Sequence, residues 1–361
     1  MFHVKHAKVT RRILIGATAA AVLAIPAAMA SADEGPAAAS ARHAAVPAFG
    51  AYSGTLGGAP KPFDPHISNN TMAVSPDERV AVVTNSKTDH LVVIDVRRGR
   101  QITKINGYVS PRNILFAPDG KSFTVSDSTL GVVDRISLRS FQVVNRLPLG
   151  AGVFGTAQSK DGKWLYANNE AAGTVTVVDQ AGSRADAVLT GFAEPRQGVK
   201  LAPAGDKLYV TNYKGDRITV VDVKTRKTLQ QIEGFKEVRG LSISRDGTRL
   251  YAANSGTDTV SVVDTASGAT LKRITVGKKP YGAALSPDGK VLFSGNLEDN
   301  SLTAVNPADG GVRGTVKGLK GPRQAISFSA DSKTAWVLNE DLTVAEVDVA
   351  ALKVTRTLGT R

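Results

Sequence analysis

The feature that most constrains this chain is an internal repeat that occurs seven times in phase. Each copy starts with a turn resembling Ser-Pro-Asp-Gly and continues into a short apolar run that ends at Asn or Asp. The copies are SPDERVAVVTN from Ser75, APDGKSFTVSD from Ala117, SKDGKWLYANN from Ser159, APAGDKLYVTN from Ala202, SRDGTRLYAAN from Ser244, SPDGKVLFSGN from Ser286 and SADSKTAWVLN from Ser329. Their starts lie 42, 42, 43, 42, 42 and 43 residues apart. A period of this length indicates an array of identical supersecondary units.

Each repeat contains four strand signals. Proline and glycine at the turn suit a tight connection, and the residues after it alternate between apolar and polar. A second β-branched run follows in most repeats, as in TVSVVD and ITVVD, and is irregular in the second repeat, where VVDRIS ends at Ser137. A third run and a short apolar stretch before the next turn complete the unit. The pattern predicts an all-β fold, a seven-bladed β-propeller of four-stranded antiparallel blades over residues 66–361.

Two features of the repeat concern the fold and not chemistry. An Asn or Asp ends the second strand of every copy, so we expect these side chains to cap turns. The last repeat supplies its own fourth strand, although Ala51 to Gly57 could add an edge strand where the ring closes.

The first 32 residues have the three parts of a secretory signal peptide. Basic residues precede an apolar run that starts at Ile13 and ends in small residues, so cleavage after Ala30 or after Ala32 fits. Arg11 and Arg12 also fit a twin-arginine signal. The alternative is a membrane anchor, but the run is short, rich in alanine and interrupted by Pro26. We therefore expect an exported chain, located in the periplasm, the envelope or outside the cell, with no transmembrane anchor after processing.

Residues 33–65 are rich in Ala, Gly, Pro and Ser without periodicity, and they are interpreted as a spacer. The chain has no cysteine, which excludes disulfides, thiolate metal sites and haem attachment through C-x-x-C-H. Removal of residues 1–32 would lower the formal net charge from +13 to +9. A basic exported protein attracts anionic partners such as nucleic acid, acidic glycans or lipid headgroups.

The strings LYVTN at Leu208, SPDGK at Ser286 and TVSVVD at Thr259 resemble the YVTN β-propeller repeat family. The resemblance covers residues 66–361 and implies the propeller fold. Family members include archaeal surface-layer proteins, a periplasmic propeller that binds single-stranded DNA, lactonase-like enzymes and the haem-d1-binding domain of nitrite reductase. The resemblance therefore leaves several functions open.

Candidate site residues are those that break the repeat, because positions shared by every blade serve the fold. The loop before the first strand of each blade is the place where the copies differ most. It carries the candidate ligand-binding residues Arg112, Phe154, Arg196, Arg239, Tyr281 and Arg323. One interpretation is that these arginines form salt bridges to acidic loop residues of neighbouring blades. The other is an anion-binding funnel in which arginines and aromatic rings contact a polymer such as single-stranded nucleic acid.

The leading functional prediction is a monomeric, non-enzymatic scaffold that binds an anionic polymer or a protein partner. No cofactor, metal site or catalytic residue is assigned, because His66 and His90 lack a third ligand and no nucleophile elbow occurs. The alternative is an enzyme or redox subunit on the same fold, such as a lactonase-like hydrolase or a haem-binding propeller. A structural role in the envelope is a third possibility.

Overall fold

The computed structural model describes residues 62–63 and 65–359. The predicted signal peptide, most of the spacer and the segment Ala51 to Gly57 lie outside the described residues, so their assignments stay predictions. Within the described part, no helix is long and apolar enough to cross a membrane.

The described residues form seven sheets, each with four antiparallel strands in chain order, which confirms the predicted seven-bladed β-propeller. Blades 1 to 3 contain β1 (Asn70–Val74), β2 (Val80–Asn85), β3 (His90–Asp95), β4 (Arg100–Asn106), β5 (Pro111–Phe116), β6 (Ser122–Asp127), β7 (Val132–Ser137), β8 (Val143–Pro148), β9 (Val153–Gln158), β10 (Trp164–Asn169), β11 (Thr174–Asp179) and β12 (Arg184–Leu189). Blade 4 contains β13 (Pro195–Leu201), β14 (Lys207–Asn212), β15 (Arg217–Asp222) and β16 (Thr228–Ile232).

Blades 5 to 7 contain β17 (Val238–Ile243), β18 (Arg249–Asn254), β19 (Thr259–Asp264), β20 (Thr270–Thr275), β21 (Ala284–Leu285), β22 (Leu292–Asn296), β23 (Ser301–Val305), β24 (Val312–Val316), β25 (Ile326–Phe328), β26 (Thr334–Leu338), β27 (Val344–Asp348) and β28 (Lys353–Leu358). The first strand of each blade lines a central channel. We call the face where these inner strands begin the top face, and the face where they end the bottom face.

The hydrophobic core is divided into seven clusters, and each cluster lies between two neighbouring blades. In the cluster between blades 4 and 5, for example, Tyr209 and Ile218 pack against Leu250. Third strands such as β11 are buried along most of their length, because both faces of the sheet contact another blade. Fourth strands such as β4 lie on the rim and are mostly exposed. No blade can bury its apolar surface alone, so each blade depends on its two neighbours.

The ring closes without exchange of a strand among the described residues, because β25 to β28 all come from the last repeat. Met72 and Ile94 of blade 1 share a core cluster with Trp336 and Leu358 of blade 7. Hydrogen bonds add to this contact, since the guanidinium of Arg356 donates to the carbonyl oxygens of residues 96 and 97 at 2.9 and 3.0 Å. Packing and hydrogen bonds therefore join the first and last blades.

Side chains at the bottom turns fix the chain reversal between the first two strands. The hydroxyl of Ser244 donates to Asp246, which also accepts from the backbone NH of Thr248. Hydrogen bonding to the carboxylate lowers the pKa of Asp246 to about 2. The same pairing of serine and aspartate recurs in other blades, as in Ser286 and Asp288.

The Asn or Asp at the end of the second strand is a turn cap, as the sequence predicts. Asp127 accepts hydrogen bonds from the backbone NH groups of Thr129 and Leu130 at 2.9 Å. Asn296 donates to the hydroxyls of Ser301 and Thr303. Asp127 and Asn296 are buried and hydrogen-bonded within the fold, so they are not available for chemistry.

Candidate functional site

The six candidate residues meet on the top face, at the starts of the inner strands. In blades 2 to 5 the pairing of the inner strand shifts register just there, at Pro111, Val153, Pro195 and Val238. Such bulges redirect side chains at the end of a strand. Together with Tyr213, which follows β14, the candidates form a ring of side chains around the upper end of the channel. We call this ring the belt: Arg112, Phe154, Arg196, Tyr213, Arg239, Tyr281 and Arg323.

Guanidinium groups and aromatic rings alternate along the belt in blades 4 to 7. The ring of Tyr213 has Arg196 at 3.7 Å from its centroid and Arg239 at 4.3 Å. The ring of Tyr281 has Arg239 at 4.4 Å and Arg323 at 4.9 Å. Cations at these distances are attracted to the faces of the rings. Each tyrosine therefore contacts two arginines, and the chain itself provides its stacking partners.

Arg112 is the most deeply buried member of the belt that carries a charge, with 2% of its surface exposed. Its guanidinium donates to the hydroxyl of Ser128 at 2.8 Å and to the carbonyl of Ile67 and the side chain of Asn69 at 3.0 Å. It also lies 5.0 Å from the ring centroid of Phe154, which is itself buried. A buried guanidinium with this many partners ties blade 2 to both of its neighbours.

Arg196 and Arg323 of the belt also contact carboxylates and a serine outside it. Arg196 lies 3.5 Å from Glu170 of blade 3, and 11% of its side chain is exposed. Arg323 donates to Glu340 at 3.2 Å and to the carbonyl and hydroxyl oxygens of Ser68, which precedes blade 1. With these contacts the belt crosses all seven junctions between blades, including the junction that closes the ring.

Arg239 shows what burial does to a belt arginine. It donates to the hydroxyls of Ser255 and Tyr213 at 3.0 Å and lies 3.8 Å from a Glu237 oxygen. Burial lowers the pKa of Arg239, while the neighbouring tyrosines and Glu237 act in the opposite direction. An arginine remains charged under such a shift, so the burial must be compensated by contacts of this kind.

The structure therefore brings the six predicted residues together. Among the described residues, the pair of Arg196 and Glu170 is a salt bridge between neighbouring blades. Arg323 pairs with Glu340 of its own blade, and Arg112 and Arg239 reach neighbouring blades through hydrogen bonds and ring contacts. Their role in ligand binding stays a prediction. Sequence reasoning missed Tyr213, which holds two of the arginines. The equivalent positions in other blades are Ser86, Ser128, Glu170, Ser255, Leu297 and Glu340, so Tyr213 breaks the repeat and could have been found by that signal.

Below the belt lies the central channel, with a volume of about 550 Å³. It is lined by residues of the inner strands of all seven blades. Its upper part is polar, with Asn69, Asn70, Thr71, Asn113 and Thr156. The backbones of blades 5 and 6 approach each other closely at the channel wall. The NH of Gly240 donates to the carbonyl of Tyr281 at 3.0 Å, and a Cβ on Gly240 would lie only 2.8 Å from that oxygen.

Lys200 is the unexpected feature of the channel. Counted back from the bottom turn, its equivalents are Ala73, Leu115, Ala157, Ser242, Ala284 and Ser327. Its side chain is exposed to the channel, yet protein surrounds it on all sides, and this confinement lowers the pKa of its ammonium. Within the described part of the chain the ammonium makes no hydrogen bond or ion pair. Among the channel-lining residues that the structure describes, Arg112 and Lys200 are the cations, and no aspartate, glutamate or histidine occurs.

Neither histidine flanking blade 1 joins a cluster of potential metal ligands. His90 contacts the neighbouring Asp89 at 2.9 Å, and His66 is exposed. Over residues 62–63 and 65–359, no group of three or more His, Cys, Asp or Glu side chains is placed to hold a metal ion.

The fold and the channel define a seven-bladed β-propeller with independent four-stranded blades and one ligand-sized central cavity. A model of the seven-bladed β-propeller lactonase family matches residues 71–269, more than half of the chain, and the chain belongs to this family. A YNCE-like β-propeller model matches residues 240–354. The comparisons support the propeller family but do not single out the YVTN repeat family.

Among solved structures, the chain is similar to hydrazine synthase of Kuenenia stuttgartiensis. The TM-score is 0.70 at 17% sequence identity, and the match covers 82% of this chain and 99% of that one. At this identity the similarity shows the fold alone. No curated protein matched the chain.

Proposed function

We propose that this chain is an exported, non-enzymatic binding propeller that takes an anionic group into its central channel. The observation that carries the proposal is the ammonium of Lys200 in a channel lining that contains, among the described residues, no carboxylate. Walls of low dielectric constant concentrate such a field, so a narrow positive channel attracts anions over a long range.

The belt makes a small anion or the end of a chain a better partner than a polymer lying flat on the face. Tyr213 and Tyr281 already contact guanidinium groups, so the belt offers few free rings for stacking nucleic-acid bases. The lysines around the belt are also paired, as in Lys236 with Asp216 at 3.1 Å. A polymer or protein partner would have to insert a terminal or protruding anionic group.

Calorimetric titration of the mature chain tests this proposal. The probes are octanoate, benzoate, inorganic phosphate and oligothymidylate, each at low and at high salt, with octanol as the neutral control. We expect one anion site per chain that weakens as salt rises. Arg313→Gln, at an exposed position on β24, should leave it unchanged. Binding of none of the anions, or equal binding of octanol and octanoate, would overturn the proposal.

A second candidate function is lactone hydrolysis, which the family match favours. Opening a lactone needs a base for the attacking water and a positive group for the carbonyl oxygen. The pair of Glu170 and Arg196 offers a carboxylate and a guanidinium 3.5 Å apart at the top of the channel. Both side chains are largely buried, and substrate would have to reach them from the channel.

A panel of five- and six-membered lactones separates the two functions. Turnover that Glu170→Gln abolishes, while Glu298→Gln on an outer top loop does not, would establish the hydrolase. Absence of turnover together with anion binding would support the binding module.

A further inference from the structure

The central channel changes character along its length at the level of Lys200. The asparagine and threonine side chains of the lining lie above this level. At and below it the lining consists of apolar residues and two serines: Ala73, Val74, Leu115, Phe116, Ala284, Leu285, Phe328, Ser242 and Ser327. Val74, Leu285 and Phe328 are only partly buried, and each also packs against a core cluster between two blades. Lys200 places one ammonium next to an apolar surface.

We propose that Lys200 anchors the carboxylate of an organic monoanion whose apolar body lies against the lower part of the channel. The inference rests on the proposed function, because it assumes that an anion enters the channel, and it names the chemical class. One ammonium balances one negative charge, and the mostly apolar lining beside it favours an aliphatic or aromatic body over a hydrated one.

The contrast with other lysines supports this assignment. Lys236, Lys278 and Lys320 on the top face lie within 3.1 Å of a carboxylate of the chain. Lys200 has no such partner among the described residues, so the ligand would supply the missing counter-ion. An uncompensated charge in a confined site is costly, and a bound carboxylate removes that cost.

The charged groups on the strands around Lys200 do not provide this counter-ion. On β13 itself the other charged side chain is Arg196, which belongs to the belt. The adjacent strand β14 carries Lys207 near the bottom turn, and β17 carries Arg239 in the belt. The neighbouring strand β9 carries no charged residue. Apart from these, Arg112 lines the upper channel.

Lys200→Ala is a suitable variant because three other blades already carry alanine at this position. Octanoate should bind the wild-type chain and bind Lys200→Ala about 10- to 100-fold more weakly, the range expected for losing one charged hydrogen-bond partner. Lys200→Arg should retain part of the affinity. The matched control Lys207→Ala removes a lysine near the bottom turn and should bind like wild type.

Proton uptake provides a readout that a structural effect would not move. Because confinement lowers the pKa of the ammonium, octanoate should raise it again and draw protons from the buffer. Titration in two buffers of different ionisation enthalpy measures this uptake, which should vanish in Lys200→Ala. Inorganic phosphate and acetate should bind more weakly than octanoate, because they lack an apolar body.

The outcomes separate the two proposals. If no anion binds the wild-type chain, the proposed function fails. If octanoate binds but Lys200→Ala binds it equally, with the same proton uptake, the assignment to Lys200 is wrong while the function stands. If phosphate binds more tightly than octanoate, the monocarboxylate class is wrong.

Discussion

The belt and the Lys200 level of the channel both carry cations, but the two regions use them in opposite ways. Belt arginines are 2 to 11% exposed and contact carboxylates, hydroxyls and aromatic rings of the chain. Lys200 is exposed to the channel and has no such partner among the described residues. The number of basic residues on a face therefore does not predict anion binding, because a cation that the fold already pairs is not available to a ligand.

The largest expected effect concerns Arg112. Replacement by alanine leaves Asn69 and Ser128 without their donor in a buried site, so the free energy of unfolding should fall by about 3 kcal/mol or more. Urea denaturation measures the loss. Arg139→Ala, at an exposed turn on the bottom face, should change it by less than about 0.5 kcal/mol. Equal stability of the two variants would contradict a stabilising role for the buried contacts of Arg112.

A smaller loss is expected at Tyr281, whose ring lies between Arg239 and Arg323. Tyr281→Ala removes both contacts and should cost about 1–2 kcal/mol. Tyr281→Phe keeps the ring and should be close to wild type. A loss in Tyr281→Phe as large as in Tyr281→Ala would show that the hydroxyl, and not stacking, is what matters.

The exposed ion pairs around the belt should contribute less. Lys236 lies 3.1 Å from Asp216, but 61% of its side chain is exposed. Lys236→Met should therefore lower the free energy of unfolding by less than about 1 kcal/mol, and 1 M salt should remove the difference. A loss that persists in high salt would mean that this pair, like the buried belt arginines, is shielded from solvent.

Among these variants, Lys200→Ala should change the free energy of unfolding least, and it should raise the value instead of lowering it. The folded pKa lies below the ordinary value of 10.5, so the unfolded chain binds more protons between the two values and wild-type stability rises with pH across that window. The variant should thus be at least as stable as wild type at pH 7, and the difference should shrink towards pH 10. A difference in urea midpoint that does not depend on pH would contradict a perturbed ammonium.

The sequence predicted most of the fold because the repeat encodes it directly. Six of the seven second strands end at the predicted Asn or Asp, and the remaining one, β26, ends one residue before Asn339. The irregular strand of blade 2 also ends at Ser137 as predicted. Turn chemistry and alternation are local signals, and seven copies reinforce one another.

The site was harder to predict because its chemistry depends on which cations are paired within the fold, and that depends on tertiary contacts. Arg112 and Arg323 were found as residues that break the repeat, but their contacts to Asn69 and Ser68 come from outside the aligned segments. Lys200 was missed because it lies within an inner strand and not in the loops, where the copies differ most. Within the inner strand it departs from a series of alanine, serine and leucine, yet the sequence alone does not show that this position faces a channel.

The central claim, that the fold compensates the belt arginines and leaves Lys200 for a ligand, is tested most directly by the ionisation of Lys200. The chain is labelled with ¹³C at the lysine Cε, and the Lys200 resonance is assigned by its absence in Lys200→Arg. A pH titration with and without octanoate should give a pKa below 10.5 in the free chain and a higher pKa when octanoate is bound. An ordinary pKa that octanoate does not change would contradict the account.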